Sequence, residues 1–328
     1  MNGVPVGILG TGMYVPERIL TNRELEQIVE TNDEWIVSRT GMSERHIVAP
    51  DQATSDLAYE ASLEALANAG VSAEELDLIL VATITPDMAF PSTACILQSR
   101  LGAKQAAAFD LSAACSGFIY GLANAAGLIA TGMYKKALVI GAECLSRITD
   151  YTDRNTCILF GDGAGAVVLG EVPEGRGFLS FELGADGSGG ELLKASGGGS
   201  RNPLSQEVLD ARLQYIYMAG KEVFKFAVKI MDSAAEAALS KAGLTKSDID
   251  LLVPHQANIR IIRSALERLE LPEEKCMINL NKYGNVSAAS IPIALAEAVR
   301  EQRVKPGDTL LLVGFGGGLT WGASALVW

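Results

Sequence analysis

Apolar residues recur along this chain in two rhythms. Short, uninterrupted β-branched runs alternate with longer stretches in which apolar positions return every three to four residues. The first rhythm predicts strands at 5–10, 77–84, 106–111, 137–142, 163–169, 178–183, 250–253, 308–314 and 322–328. The second predicts helices at 22–30, 53–69, 92–101, 116–131, 218–242, 257–269 and 287–302. Strands separated by helices imply crossover connections and largely parallel sheets. Runs such as Leu78-Ile79-Leu80-Val81 and Leu311-Leu312-Val313 show no alternation, which suits strands covered on both faces. The pattern is that of an α/β protein.

The pattern also repeats. Segment 64–82 (EALANAGVSAEELDLILVA) resembles segment 237–255 (AALSKAGLTKSDIDLLVPH), with Gly70 on Gly243 and Asp77 on Asp250, both 173 residues apart. Leu138-Val139-Ile140-Gly141 matches Leu311-Leu312-Val313-Gly314 at the same spacing. Ser112-Ala113-Ala114-Cys115 matches Ser287-Ala288-Ala289-Ser290 at 175. Ordered matches at nearly one spacing indicate a duplication, and the chain divides near Pro173 into halves 1–172 and 173–328. The Gly- and Ser-rich segment 185–206 reads as a solvated surface loop of the second half.

Composition narrows the class. A chain of 328 residues with 48% hydrophobic and 20% charged content can bury a large core and is not disordered. A formal net charge of -12 argues against nucleic acid as a partner, because phosphate binding needs a basic surface. Five cysteines without a CxxC pair favour thiols in a reducing compartment, hence a cytoplasmic protein. No apolar run is long enough to span a bilayer, and no metal-like Cys/His cluster is visible. Gly10-Thr-Gly12 follows a strand, but the third glycine of a dinucleotide fingerprint is missing and Pro16 interrupts the expected helix.

Three polar residues stand where strands give way to helices. Cys115 follows strand 106–111 through small residues and opens an apolar helix, like other strand–nucleophile–helix turns. A helix N-terminus lowers a thiol pKa and offers free N–H groups to an oxyanion. A buried inert cysteine fits the local pattern equally well. His255 follows a strand end, where open α/β sheets bind ligands. His46 has no comparable context. Asn285 precedes a helix and is either an N-cap or a substrate donor. The glycines of Phe315-Gly316-Gly317-Gly318 let bare N–H groups approach a ligand, or simply make a tight turn. The duplication would bring these loops to one cleft.

Six motifs together carry a resemblance: LSAACSGF, VPHQANIRI, KYGNVSAAS, GFGGGLTWG, TNDEWIVSRTGMSERHI and FGDGAGA. The chain resembles the β-ketoacyl-[acyl carrier protein] synthase III family, initiating condensing enzymes of the thiolase superfamily, from about residue 5 to 328. The resemblance implies a five-layered αβαβα sandwich, a homodimer, and no cofactor beyond the coenzyme A thioester that serves as substrate. It implies that Cys115 takes an acyl group from acyl-CoA, and that His255 and Asn285 stabilise the enolate formed when malonyl-acyl carrier protein loses carbon dioxide. The N–H groups of Cys115 and Gly317 would form the oxyanion hole. Trp35 and Arg154 would hold the adenine, Arg39 the phosphates and Asn258 the pantetheine arm. Phe90 would line the acyl pocket across the dimer interface. Gln256, Ala257, Asn258, Ile259 and Arg260, with Lys225, would dock the carrier protein.

Val286 and Leu319 replace the family's common threonine and phenylalanine, and neither change removes a reacting group. A degradative thiolase would need a second cysteine in the C-terminal glycine loop, and Phe315-Gly-Gly-Gly has none. An elongating synthase would carry a histidine at Asn285. A related enzyme of a specialised polyketide pathway, or a non-catalytic partner subunit, are the remaining alternatives. The second conflicts with an intact Cys115, His255 and Asn285.

Overall fold

Strand Leu78–Ala82 shows why the chain folds in layers. Leu78 and Leu80 point to one side, where they meet Phe118, Ile119 and Leu122. Ile79 and Val81 point to the other, onto Leu57, Ala61 and Leu97. Successive strand residues face opposite ways, so a strand apolar at every position needs cover on both faces. The same holds at Thr309–Gly316. Leu310 and Leu312 pack with Ile291 and Leu295, whereas Leu311 and Val313 pack with Ala227, Met231 and Ile262. A computed structural model describes residues 3–328. Helices Gly117–Ala130 and Ser290–Arg300 lie between the two sheets. Thr54–Ala69 and Thr93–Leu101 cover the first sheet, and Gly220–Ala242 and Ile259–Leu269 cover the second. The result is the five-layered α/β sandwich.

The two sheets repeat one topology. In the first, the order is Val6–Tyr14, Asp162–Glu171, Ala137–Cys144, Leu78–Ala82, Ala107–Leu111. The first two pairings are antiparallel and the last two parallel. The second sheet runs Gly177–Ala185, Thr320–Val327, Thr309–Gly316, Leu251–Pro254 with matching senses. A single parallel bridge between Leu252 and Cys276 stands where a fifth strand would be.

Local geometry corrects the spacing at the two small-residue turns. Ala114 (φ 46°) and Ser287 (φ 47°) are both left-handed, and each opens a 3-10 turn, Ala114–Ser116 and Ser287–Ala289. The helices that follow start at Gly117 and Ser290. These positions are 173 residues apart, like the rest of the repeat, and not 175. Cys115 therefore corresponds to Ala288, and Asn285 to Ser112. Runs of Ser and Ala match in several registers, and only the backbone conformation distinguishes them.

Other differences are local. The helix expected over 22–30 is the short Asn22–Leu25, closed by a capping box between Thr21 and Glu24; a separate helix follows at Asp33–Thr40. Strands Arg18–Thr21 and Glu44–Ile47 pair on either side of them. Segment 185–206 is partly structured: Leu193–Lys194 pairs with Tyr217–Met218. Gly12 lies inside strand Val6–Tyr14, where a Cβ would fall 2.3 Å from the Ala61 carbonyl oxygen. The apparent nucleotide fingerprint is thus a close strand–helix contact. Among the described residues, no helix is long and apolar enough to cross a membrane.

Candidate active site

Cys115 sits in the 3-10 turn that joins strand Ala107–Leu111 to helix Gly117–Ala130. The turn requires Ala114 in the left-handed region, a strain of about 1–2 kcal/mol for a residue with a Cβ. Gly316 covers the turn: a Cβ there would lie 2.5 Å from the Cys115 amide nitrogen. Cys115 is 8% exposed.

His255 follows strand Leu251–Pro254, and its N–H donates to the Val313 carbonyl at 2.8 Å. Its ring stands edge-on to Phe315, with centroids 5.6 Å apart. Its Nδ1 has no hydrogen-bond partner. Asn285 is tied by its backbone to Leu159 (2.8 Å) and Gly161 (3.1 Å). Its Oδ1 accepts from the Ser287 N–H at 2.9 Å, which leaves the Nδ2 amino group as the free end of the amide. Asn285 thus serves as a local turn residue and still presents a donor.

Cys115, His255 and Asn285 line one cavity of about 100 Å³, together with Phe224, Asn258 and Phe315. On the other side of the thiol a cavity of about 380 Å³ is lined by Ile84, Leu145, Ile148, Ile216, Ser287 and Gly317. Leu193 and Phe160 belong to both. Segment 185–206 therefore supplies a wall of the site, which its polar composition concealed. His46 lies apart, hydrogen-bonded through Nδ1 to the Pro16 carbonyl.

Burial governs the electrostatics. It pushes the Cys115 thiol up to about 12, so the lowering expected from the helix terminus is outweighed. The resting group is the neutral thiol. Burial also pushes His255 down to about 3, which keeps the imidazole neutral at physiological pH. Neutral N–H donors on His255 and Asn285 can stabilise an enolate without protonating it. Glu143, fully buried, is a group sequence reasoning missed. It accepts hydrogen bonds from Thr85 Oγ1 (2.6 Å), Thr83 Oγ1 (3.2 Å) and the Ile84 N–H (3.1 Å). Desolvation raises its carboxyl to about 7. Through Ile84 it fixes the wall of the larger cavity.

Family models for 3-oxoacyl-[acyl-carrier-protein] synthase III match residues 109–187, and for its C-terminal part residues 239–328. A β-ketoacyl-[acyl-carrier-protein] synthase III of Desulfitobacterium hafniense is 60% identical over 325 residues, covering 99% of this chain and 98% of its own. That of Geobacillus kaustophilus is 57% identical over 98% of each chain. The crystal structure of the Aquifex aeolicus synthase III superposes with a TM-score of 0.92 at 50% identity, over 98% of this chain and all of that one. The priming β-ketosynthase of the R1128 polyketide pathway superposes at 0.93 with 36% identity, over 99% and 97%. The chain belongs to the β-ketoacyl-[acyl-carrier-protein] synthase III family. Its fold is thiolase-like, and it is a condensing acyltransferase that initiates fatty acid synthesis.

Around this site the outer residues divide into those with free polar ends and those committed to the fold. The Arg154 guanidinium lies 5.2 Å above the Trp35 ring, and Arg39 is exposed at the end of the helix that carries Trp35. Asn258 lines the smaller cavity, but both ends of its amide are engaged: Oδ1 caps the Arg260 N–H at 2.9 Å and Nδ2 donates to the Arg39 carbonyl at 3.0 Å. Gln256 corrects the docking expectation. It is buried, donates to the Pro254 and Met277 carbonyls, and accepts from the Asn279 and Leu280 amides. No part of it reaches a partner's surface. Ala257 and Ile259 are half-buried, whereas Arg260 is exposed with its guanidinium 5.1 Å over Phe224. Lys221, Lys225 and Lys229 are exposed along one face of helix Gly220–Ala242. Phe90 is 85% exposed and lines neither cavity of its own chain.

Proposed function

We propose that the chain condenses a short acyl-CoA with malonyl-acyl carrier protein through an acyl thioester on Cys115. The observation that carries this reading is the meeting of Cys115, His255 and Asn285 in one cavity, with a second, apolar cavity behind the thiol. The Cys115 sulfur attacks the thioester carbonyl, its proton leaves on the released coenzyme A thiol, and the acyl group fills the larger cavity. Malonyl thioester then replaces coenzyme A. Its carbonyl oxygen accepts from His255 and the Asn285 amino group, so the enolate forms as carbon dioxide departs. The carbanion attacks the acyl carbonyl. The N–H groups of Cys115 and Gly317 hold the resulting oxyanion, and collapse yields the 3-oxoacyl carrier protein. The released thiolate takes up one proton from water. His255 stays neutral throughout, as its burial dictates.

On this reading Trp35, Arg154 and Arg39 receive the nucleotide of coenzyme A, and Arg260 and Lys225 receive the acidic carrier protein against the chain's overall charge. The enzyme needs no cofactor and works in the cytoplasm. Halves 1–172 and 173–328 act as one unit, since the first supplies Cys115 and the second His255 and Asn285. The exposed Met88, Phe90 and Phe109 form the face of a homodimer, through which Phe90 reaches the partner's acyl pocket.

Labelled acyl-CoA provides the test. Cys115→Ala should take up no label, whereas His255→Ala and Asn285→Ala should acylate but release no carbon dioxide from malonyl carrier protein. Label on Cys115→Ala would remove the nucleophile assignment. Intact decarboxylation in both other variants would remove theirs.

A further inference from the structure

One hydroxyl ties the glycine turn to the nucleophile turn. Thr320 begins strand Thr320–Val327 directly after Gly317-Gly318-Leu319. Its Oγ1 lies 3.0 Å from the Ala113 carbonyl oxygen and 3.1 Å from the Gly317 carbonyl oxygen. Ser116 Oγ is 2.8 Å from Thr320 Oγ1 and 2.8 Å from the same Ala113 carbonyl. Two hydroxyl protons are thus shared among the Ala113 and Gly317 carbonyls and Thr320 Oγ1 itself. Ala113 and Ser116 bracket Cys115 in the chain, and Gly317 is the other amide that the proposed function places in the oxyanion hole. The strand register holds Thr320 opposite Gly316 on one side and Ala185 on the other, so its backbone is fixed by the second sheet.

We propose that Thr320 is a positioning residue that sets the spacing between the Cys115 and Gly317 amides. This rests on the reading of those amides as oxyanion donors. The two amides come from turns far apart in sequence, and an oxyanion hole works only when both donors reach one point at about 2.7–3.1 Å. The Thr320 hydroxyl carries one proton: donated to the Gly317 carbonyl while its oxygen accepts from Ser116 Oγ, it joins the two turns. A valine has the same shape and can make neither bond. His255 and Asn285 are held by other partners, Val313 for the first and Leu159, Gly161 and Ser287 for the second. Loss of the hydroxyl should therefore affect the steps that pass through an oxyanion and spare decarboxylation.

The experiment separates the half-reactions. In Thr320→Val, transfer of acetyl from labelled acetyl-CoA to the protein should slow about 10- to 100-fold in its maximal rate, the scale of a sub-ångström to ångström misplacement, with KM little changed. Carbon dioxide release from malonyl carrier protein without a primer should stay within about twofold of the parent rate. Thr320→Ser should restore acylation. Ser116→Ala, which removes one arm of the network, should show a smaller loss with the same split. Unchanged acylation in Thr320→Val, an equal fall in both half-reactions, or a serine variant as slow as the valine one each overturns the proposal. Label on Cys115→Ala would instead overturn the nucleophile assignment beneath the proposal, and that result is distinct from all of these.

Discussion

Gly316 has its Cα against the backbone of Cys115, so close that a Cβ would lie 2.5 Å from the cysteine's amide nitrogen and 3.1 Å from the Ala114 Cβ. Neither neighbour is a flexible side-chain end that could swing away. Gly316→Ala should therefore cost about 1–3 kcal/mol of stability, by chemical denaturation, and abolish detectable acylation. Gly199→Ala, with nothing within 4 Å of the added atom, should change neither. An active, stable Gly316→Ala protein would show that the two turns do not need this contact.

The buried thiol leads to a reactivity order. Cys95 is exposed and Cys115 is buried with its pKa pushed up to about 12. At pH 7, iodoacetamide should modify Cys95 first. Modification of Cys115 should be slow and rise about tenfold per pH unit up to pH 10, because the thiolate fraction grows tenfold per unit below the pKa. Peptide mapping by mass spectrometry gives both rates. A fast, pH-independent rate at Cys115 above pH 7 would mean that the helix terminus dominates after all.

Glu143 makes stability depend on pH in a stated direction. Its carboxyl titrates at about 7 in the fold against 4.5 for the ordinary side chain. The folded chain holds this proton more tightly than the unfolded one. The associated stability is fully present below pH 4.5 and is lost as pH rises through 7, by on the order of 3 kcal/mol. Glu143→Gln should flatten that part of the profile, measured by urea denaturation between pH 4 and 8. An unchanged slope would assign it to other groups.

Carrier-protein docking should depend on the exposed end of helix Ile259–Leu269. Arg260→Glu should lower kcat/KM for malonyl carrier protein about tenfold, more strongly at low salt, and leave acylation by acyl-CoA unchanged. Gln256→Ala should instead lower stability, since it strips partners from four backbone groups. Equal losses in both half-reactions for Arg260→Glu would exclude a docking role.

Much of this was legible in the sequence because strand and helix rhythms are long-range and redundant. The strand read at 106–111 is Ala107–Leu111, and the helix read at 218–242 is Gly220–Ala242. The motifs around Cys115, His255 and Asn285 also stood out, and the fold brings all three together. What stayed hidden was decided by tertiary partners. Gln256 is a polar residue in VPHQANIRI like the exposed Arg260, yet strand Leu251–Pro254 and segment 277–280 enclose it. Glu143 reads as one acid in an apolar strand, and its donors come from the Thr83–Thr85 turn, about sixty residues earlier in the chain. Leu193 was masked by a run of glycines and serines on both sides. The pKa of Cys115 follows from how much of the chain closes over it, which a local motif does not contain.

The duplicated sheets differ at one edge. In the second half the outermost position is filled by a bridge at Cys276, whereas in the first the strand Ala107–Leu111 remains a full edge with unpaired backbone groups. That strand leads through Ser112 and Ala113 into the turn that carries the nucleophile. Whatever chain hydrogen-bonds to it grips the same rod that aims Cys115. In the homodimer proposed above, subunit contact and chemistry would share a mechanical element, and diluting the protein until the subunits part should silence acylation before any secondary structure is lost.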